Sequence, residues 1–527
     1  MRALLAVAGL VVLAAVLLGA GIVWWSGATL ATDASALARV QLQPLAGSLV
    51  STRVTGPAGR AVPATIAHGR IVPRVRVEPG ASLTVVVVVR RPSWLRWLVG
   101  RQRTERLRVE APVARLTTRW VTLAPGSPLR LRFAGRVARV AVGPARPTHT
   151  LTASGRSVSV GRQAASGSLA VAAAARTWEL LGQPTLVSWF PSASKPTVLA
   201  DPEARTVVSP LGTIRLTFAQ SVADVLGSAR PRFSPSVAGS WELIDSHTLL
   251  FTPGRLGFPL AGTLHLVLPR RVAVIRNGTA VTTQTAALEW TVAAGSLLRL
   301  DQLLAQQGYL PVSWQPTGDP VAATAAAQVD AAVDPPAGTF AWRYSNTPSL
   351  LKLQWNPDRI TEITRGAIMT FEDEHALPVD GLAGPRVWQA MLADALSGKS
   401  HTGGYSYVYV HTKLPQLLTL WHDGKTVLTS PGNTGIPAAP TQPGTYPVFE
   451  HIPVGTMQGT NPDGTHYDDP GIRWISYFHG GDALHSFPRA SYGTPQSLGC
   501  VELPLSAAAA VWPYTPVGTL VTIEPQT

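Results

Sequence analysis

A single cysteine, Cys500, stands among 527 residues. No intramolecular disulfide and no multi-cysteine metal site is therefore open to this chain, and the thiol is either an inert buried side chain or a nucleophile. Lysine is nearly as scarce. Only five of the 44 basic residues are lysine, and with 30 Asp and Glu the formal charge is +14. The basic excess crowds between Arg90 and Arg146, with Arg101, Arg103, Arg106 and Arg108 among its members. No nucleic-acid-binding signature accompanies it, so nucleic acid is set aside as a partner, and an anionic polymer or a lipid headgroup surface fits better. Charge is missing altogether from Ala3 to Trp25. That run is long enough to span a bilayer as a helix and exceeds the ~7–15 apolar residues of a cleaved signal. Arg2 precedes it, and Trp24 and Trp25 suit the far headgroup interface. Residues 1–26 therefore read as a transmembrane signal-anchor with its amino end in the cytoplasm. A leader cleaved near Ala28 or Ala31 is the alternative. Either way the remainder is expected outside the cytoplasm, on the cell membrane as a single-pass protein in the first case.

The length exceeds one ordinary core and implies several domains. Residues 27–195 read as β-structure in one or two domains. Short β-branched runs at Ser82–Val89, Leu107–Glu110, Leu129–Phe133 and Val137–Val142 are separated by Gly, Pro and Ser. Pro191–Pro202 reads as a linker. A further set of strands, Thr213–Phe218, Trp241–Leu243, Thr248–Phe251 and Thr263–Leu268, predicts an antiparallel sandwich over 200–292. Its pattern resembles immunoglobulin-like spacer domains. Residues 297–397 change character. Leu297–Gln307 is helical and stops at Gly308-Tyr309-Leu310-Pro311. Val321–Gly338 reads as a low-complexity interruption. Thr361–Glu374 is helical again, followed by Asp380-Gly381-Leu382-Ala383-Gly384-Pro385 and Trp388. This resembles the small three-helix peptidoglycan-binding module, with Phe371-Glu372 in place of the usual Phe-Gln pair. The alternative is a packing module with no glycan affinity.

From 403 to 525 β-signals return, with Tyr405–His411, Leu417–Trp421 and Thr426–Thr429 as strands and His422-Asp423-Gly424-Lys425 as a hairpin turn. Six of the twelve histidines fall between 405 and 523. Cys500 lies in Ser497-Leu498-Gly499-Cys500, behind the polar, turn-rich stretch 489–495. To act as a nucleophile it needs an imidazole to take its proton, which predicts a thiolate beside an imidazolium. It also needs donors for an oxyanion, for which the backbone N–H groups of Gly499 and Cys500 are candidates. His485, followed by Ser486-Phe487-Pro488, is the expected base. His479, six residues earlier, is expected to line the pocket or serve structure. No His and no Arg follows Cys500, which excludes arrangements that place either after the cysteine. A metal site on His479 and His485 lacks a third ligand at a recognisable spacing, so no metal and no cofactor is expected.

On these residues the segment 405–524 resembles the catalytic domain of L,D-transpeptidases, the YkuD family. The shared pattern is His485-Ser486-x-Pro488, then Ser497-x-Gly499-Cys500, with Thr441-Gln442-Pro443-Gly444-Thr445 upstream. Leu498 stands where many members carry His, and Glu502 where many carry Arg or Asn. The resemblance implies a C-terminal β-rich catalytic domain behind the sandwiches and the helical module. It implies Cys500 as nucleophile, His485 as general base and acid, and Gly499 as oxyanion donor. Ser486 would orient the imidazole or cap a turn, and Ser497, His479, Tyr467 and Trp474 would line the substrate groove, with core packing the alternative for Tyr467 and Trp474. The implied reaction forms 3→3 cross-links between peptidoglycan stem peptides, or attaches a protein amine to them, through a thioester with release of D-Ala. Water as acceptor would make the domain a carboxypeptidase. A catalytically idle wall-binding scaffold is the reading from another class.

Overall fold

The charge-free run forms one helix, α1 (Arg2–Trp25). Its segment Ala8–Trp25 has a mean hydropathy of 2.3, long and apolar enough to cross a membrane. The last four carbonyls of a helix lack intrahelical partners, and here those of Val23, Trp24 and Trp25 find partners. Trp25 O accepts from Leu45 N at 3.0 Å, Val23 O accepts from the Ser26 hydroxyl at 3.0 Å, and the Arg103 guanidinium donates to Val23 O and Trp24 O. Gly27 makes this docking possible, since a Cβ there would lie 2.8 Å from Arg103 Cδ.

The computed structural model describes residues 2–124, 126–144, 146–164, 166–191, 196–276, 279–281 and 287–525. The chain is mainly β, and its residues divide into two compact units: Met1–Leu199 with Thr217–Gly227 and Val272–Gln284, and Ala200–Leu216 with Ser228–Arg271 and Thr285–Thr527.

Among the described residues, the first unit holds two larger β cores and a small cluster of Phe190, Leu199 and Ile275. One is built on the hairpin β1 (Ser82–Arg90) and β2 (Gln102–Glu110), paired from Ser82↔Glu110 to Arg90↔Gln102. Strand alternation points Leu83, Val85, Val87 and Val89 inward, all fully buried. The other core gathers Leu131, Phe133, Val140, Val171, Val187 and Trp189. The expected linker differs from the structure on both sides of residues 192–195, which lie outside the described set. Thr185–Pro191 and Thr197–Asp201 are strands, the second pairing in parallel with Ala273–Arg276. Paired neighbours distant in sequence made the stretch regular despite its prolines.

In the second unit, Thr263–Val267 lies between Ala287–Val292 and Arg232–Ser234 in a four-stranded sheet, beside a Gly239–Asp245/Thr248–Pro253 hairpin. The helices α2 (Leu297–Gln306), α3 (Glu362–Glu374) and α4 (Pro385–Ser397) fall where the sequence places them. The supposed interruption does not. Ala325–Val333 is a helix whose Thr324 side chain accepts from Ala327 N, and Gly338–Trp342 pairs with Val312–Pro316.

The C-terminal segment follows. A five-stranded sheet combines β3 (Ser406–His411), β4 (Leu417–His422), β5 (Lys425–Pro431), β6 (Gly444–Pro447) and, last in the chain, β11 (Leu520–Ile523), in the order β5-β4-β3-β11-β6. Between β6 and β11 a second sheet runs β7 (Glu450–Thr460), β8 (His466–His479), β9 (Asp482–Ser486) and β10 (Val501–Leu503). The helical module is not merely tethered to this domain. Ile363, Ile368 and Phe371 of α3 share one core with Tyr407, Trp421 and Leu520 of the sheet. The approach is close enough that a Cβ on Gly366 would lie 2.5 Å from Gly518 O, and the Thr370 hydroxyl donates to Val517 O at 3.1 Å.

Two carboxyls in this shared region are held in a dry setting. Asp301 is fully buried with Oδ2 unpartnered, and burial pushes it up to about 7. Glu372, 1% exposed, accepts from Gly381 N at 2.8 Å and Asp380 N at 3.0 Å, and burial pushes it to about 7 as well. A folded pKa above the unfolded one means stability present below the unfolded value and lost as pH rises through the folded one. Thermal midpoints are therefore expected to fall between about pH 4 and pH 8, and Asp301→Asn should flatten that slope. A midpoint rising steadily over this window would contradict the assignment.

Candidate active site

Strands β9 and β10 run parallel in the register Leu484↔Val501, His485↔Glu502, Ser486↔Leu503. This register puts His485 and Glu502 side by side on one face and places Cys500 at the mouth of the pair. The loop before Cys500 is shaped by a glycine no other residue replaces. Gly499 has φ +121, and a Cβ there would lie 2.2 Å from Asp482 Oδ1. Ser497 is buried and staples the loop: its hydroxyl donates to Cys500 O at 2.5 Å and accepts from Gly499 N at 3.3 Å. Asn433, also buried, accepts from Gly493 N at 2.9 Å through Oδ1, and its backbone exchanges bonds with Glu502.

His485 is 3% exposed. Its Nδ1 lies 3.0 Å from Ser486 O. A carbonyl only accepts, so Nδ1 carries the proton and Nε2 keeps its lone pair. The orienting group is thus the Ser486 carbonyl, while the Ser486 hydroxyl donates elsewhere, to Arg473 O at 3.1 Å. The Cys500 thiol donates to Gly481 O at 3.6 Å. His485 and Cys500 line one cavity of about 770 Å³ with Tyr467, Tyr477, Asp469 and Asp482.

The electrostatics differ from the expected thiolate–imidazolium pair. Burial pushes the Cys500 thiol up to about 12; the Ala483 N–H opposes this, and the Asp482 and Glu502 carboxylates add to it. Cys500 is only half-buried, so water on the open side of the cavity offsets part of that push. Burial pulls His485 down, against the Ser486 carbonyl and Glu502. Both shifts favour a neutral thiol beside a neutral imidazole.

Of the other residues singled out from sequence, Tyr467 lines the cavity and Ser497 reaches it, the latter with its hydroxyl spent on the loop. The Gly499 N–H is engaged by that same hydroxyl. His479 does not line the cavity: its ring packs 4.6 Å from Tyr446 and its Nδ1 lies 3.7 Å from Asp482 Oδ2. Trp474 does not line it either. It packs 5.1 Å from Trp512 in the core behind β8. Positive φ at Gly471 and at Trp474 (+61) breaks the simple alternation of β8.

Sequence reasoning missed Asp482, Tyr477 and Arg489, all lining the cavity, and took Glu502 only as a departure from the family pattern, not as the partner of Arg489. Arg489 binds Glu502 through two bonds, Nε to Oε2 at 2.8 Å and Nη2 to Oε1 at 2.7 Å. It also donates to Gln496 O at 3.2 Å and lies 4.6 Å over the Phe487 ring. The one signal available was Glu502 itself, a carboxylate two residues after the cysteine.

Residues 405–523 match the family of L,D-transpeptidase catalytic domains, YkuD. No curated protein matches the chain. Among solved structures, the chain is similar to an L,D-transpeptidase from Mycobacterium smegmatis, at 14% identity over 62% of this chain and 97% of that one, with a TM-score of 0.21. L,D-transpeptidase 3 from Mycobacterium tuberculosis matches at 11% identity over 62% and 97%, TM-score 0.21. The catalytic domain of an E. faecium L,D-transpeptidase matches at 26% identity over 24% of this chain and 99% of that one, TM-score 0.21.

Proposed function

We propose, with residues 405–523 as an L,D-transpeptidase catalytic domain of the YkuD family, that the protein is a cell-wall transpeptidase working through a Cys500 thioester. The observation that carries this reading is the Nδ1–H tautomer of His485, which leaves Nε2 free to take a proton on the same cavity as Cys500. His485 Nε2 takes the Cys500 proton as sulfur attacks the carbonyl of the third residue of a stem tetrapeptide. The C–N bond to D-Ala breaks, and D-Ala leaves with the proton held on His485. An acceptor amine then attacks the thioester, gives its proton to His485, and leaves a new amide and a free thiol. In a 3→3 cross-link that amine belongs to a neighbouring stem. The developing oxyanion takes the N–H groups of Gly499 and Cys500, and for this the long Gly499–Ser497 bond has to open.

In the same reading α1 is a membrane anchor and the catalytic domain faces the wall. The β-regions 27–195 and 200–292 form the stalk. The helical module 297–397, sharing a core with the catalytic sheet, braces it.

Muropeptides incubated with the purified protein and resolved by mass spectrometry test the reaction. Tripeptide-linked dimers of 3→3 type should accumulate with free D-Ala, and Cys500→Ala should abolish both while the protein stays folded. Tripeptide monomers alone would make water the acceptor, and turnover in Cys500→Ala would remove the covalent mechanism.

A further inference from the structure

The tip of the β1–β2 hairpin, residues 91–101, carries features the proposed reaction does not use. Trp97 is 83% exposed and Trp94 57% exposed. Large indoles left in water are costly to solvation and mark a contact surface. The tip is a built structure. Leu95 is buried beneath it, the Arg91 side chain donates to Val99 O across it, and Arg91 N bonds Arg101 O at 3.1 Å. Arg90, Arg96 and Arg101 surround the indoles and are exposed. Between Glu78 and Glu105 the chain has five arginines and no acidic residue.

Position decides what this surface meets. Arg103, near the start of β2, donates to the carbonyls of Val23 and Trp24, so the hairpin that carries the tip is tied to the last turn of α1. That turn presents its own exposed indoles, Trp24 at 63% and Trp25 at 54%. Four indoles and three free guanidinium groups thus gather where an apolar helix would leave a bilayer. Indoles prefer the headgroup level, and arginines bury their stems while their heads meet lipid phosphates.

We propose that residues 91–101 form a second membrane contact, inserting Trp94 and Trp97 at the headgroup level of the leaflet from which α1 emerges, with Arg90, Arg96 and Arg101 on anionic headgroups. This rests on reading α1 as an uncleaved anchor. With two attachment points the first β core is held at a fixed attitude to the bilayer instead of swinging on one strand of chain.

Because Cys500 is the sole cysteine, the full-length Cys500→Ala chain accepts single labels. Trp94→Cys, Trp97→Cys, Trp25→Cys and Ser159→Cys, each carrying an environment-sensitive fluorophore, would be reconstituted into phosphatidylcholine–phosphatidylglycerol vesicles containing brominated lipids. Quenching at positions 94 and 97 is expected within about twofold of that at 25, and stronger with bromines near the headgroup than near the chain end. Position 159 should stay unquenched. Arg96→Gln with Arg101→Gln, or vesicles of phosphatidylcholine alone, should reduce quenching at 97 and spare it at 25. If 25 is quenched and 97 behaves like 159, the anchor stands and the second contact is overturned. If 25 is unquenched too, the anchor reading fails and takes the inference with it. Quenching at 97 that ignores both the arginines and lipid charge would overturn the headgroup role assigned to them.

Discussion

Replacing His485 by glutamine is expected to cut acyl transfer about 10²–10⁴-fold while barely moving the pH profile of Cys500 alkylation. The two readouts separate because of what the imidazole does in the free protein. Burial holds His485 neutral and pushes the thiol up, so no imidazolium stands ready to support a thiolate. The histidine acts when the carbonyl is attacked, as the acceptor of a proton in flight. Alkylation of the wild-type protein should therefore climb with pH past the ordinary thiol value of about 8.5, without a plateau near neutrality. Acylation by a bound stem peptide is measured alongside, with His479→Ala for comparison; that residue packs on Tyr446 and touches the cavity lining through Asp482, so its effect on acyl transfer should be small beside that of His485→Gln. A low-pH alkylation plateau that disappears in His485→Gln would restore the thiolate–imidazolium pair and overturn the neutral resting state.

The meeting of His485 and Cys500 on one cavity was legible because a thiol that is to act as a nucleophile leaves few options. One thiol, one histidine in a His-Ser-x-Pro setting and a glycine before the cysteine narrow the choice with no knowledge of tertiary contacts. Local signals also carried the helices: Gly308 with φ +89 stops α2 one residue past its cap, and Pro385 opens α4. What was not legible depends on contacts distant in sequence. Val321–Gly338 looks like a linker by composition, yet its helix buries Val329 and Ala332 in the shared core, and Gly338 lies so close to Gln315 O that a Cβ would sit 2.4 Å away. Trp474 packs against Trp512 in the core behind β8, a contact between residues distant in sequence that no local signal gives. Asp482 gave no signal at all. Its carboxylate, raised by burial, acts on the Cys500 thiol and lies against the Gly499 backbone, contacts that only the fold brings together.

Cutting the Arg489–Glu502 pair at one end is expected to cost far more than removing both ends. Glu502 has a side chain only 5% exposed, beside His485 in the β9–β10 register. Arg489→Met leaves that carboxylate without its two charge-assisted bonds in a dry site, which costs about 3 kcal/mol, the low end for a broken buried pair because Arg489 is partly open to solvent. The damage should reach the chemistry too. An unpaired Glu502 raises the Cys500 thiol further, so alkylation and acylation should both shift to higher pH. The loop from 489 to 497 also loses the bond to Gln496 O. Arg489→Met with Glu502→Leu removes the stranded charge, and most of the lost stability should return, since two apolar side chains of similar volume replace an ion pair at little net cost. Arg489→Lys keeps a charge without the two-point geometry and should fall between. Denaturant unfolding of wild type, Arg489→Met, Glu502→Leu and the double variant closes the double-mutant cycle. If Arg489→Met and the double variant are equally unstable, the pair is only a packing element, and its charge has no part in setting the proton balance of Cys500.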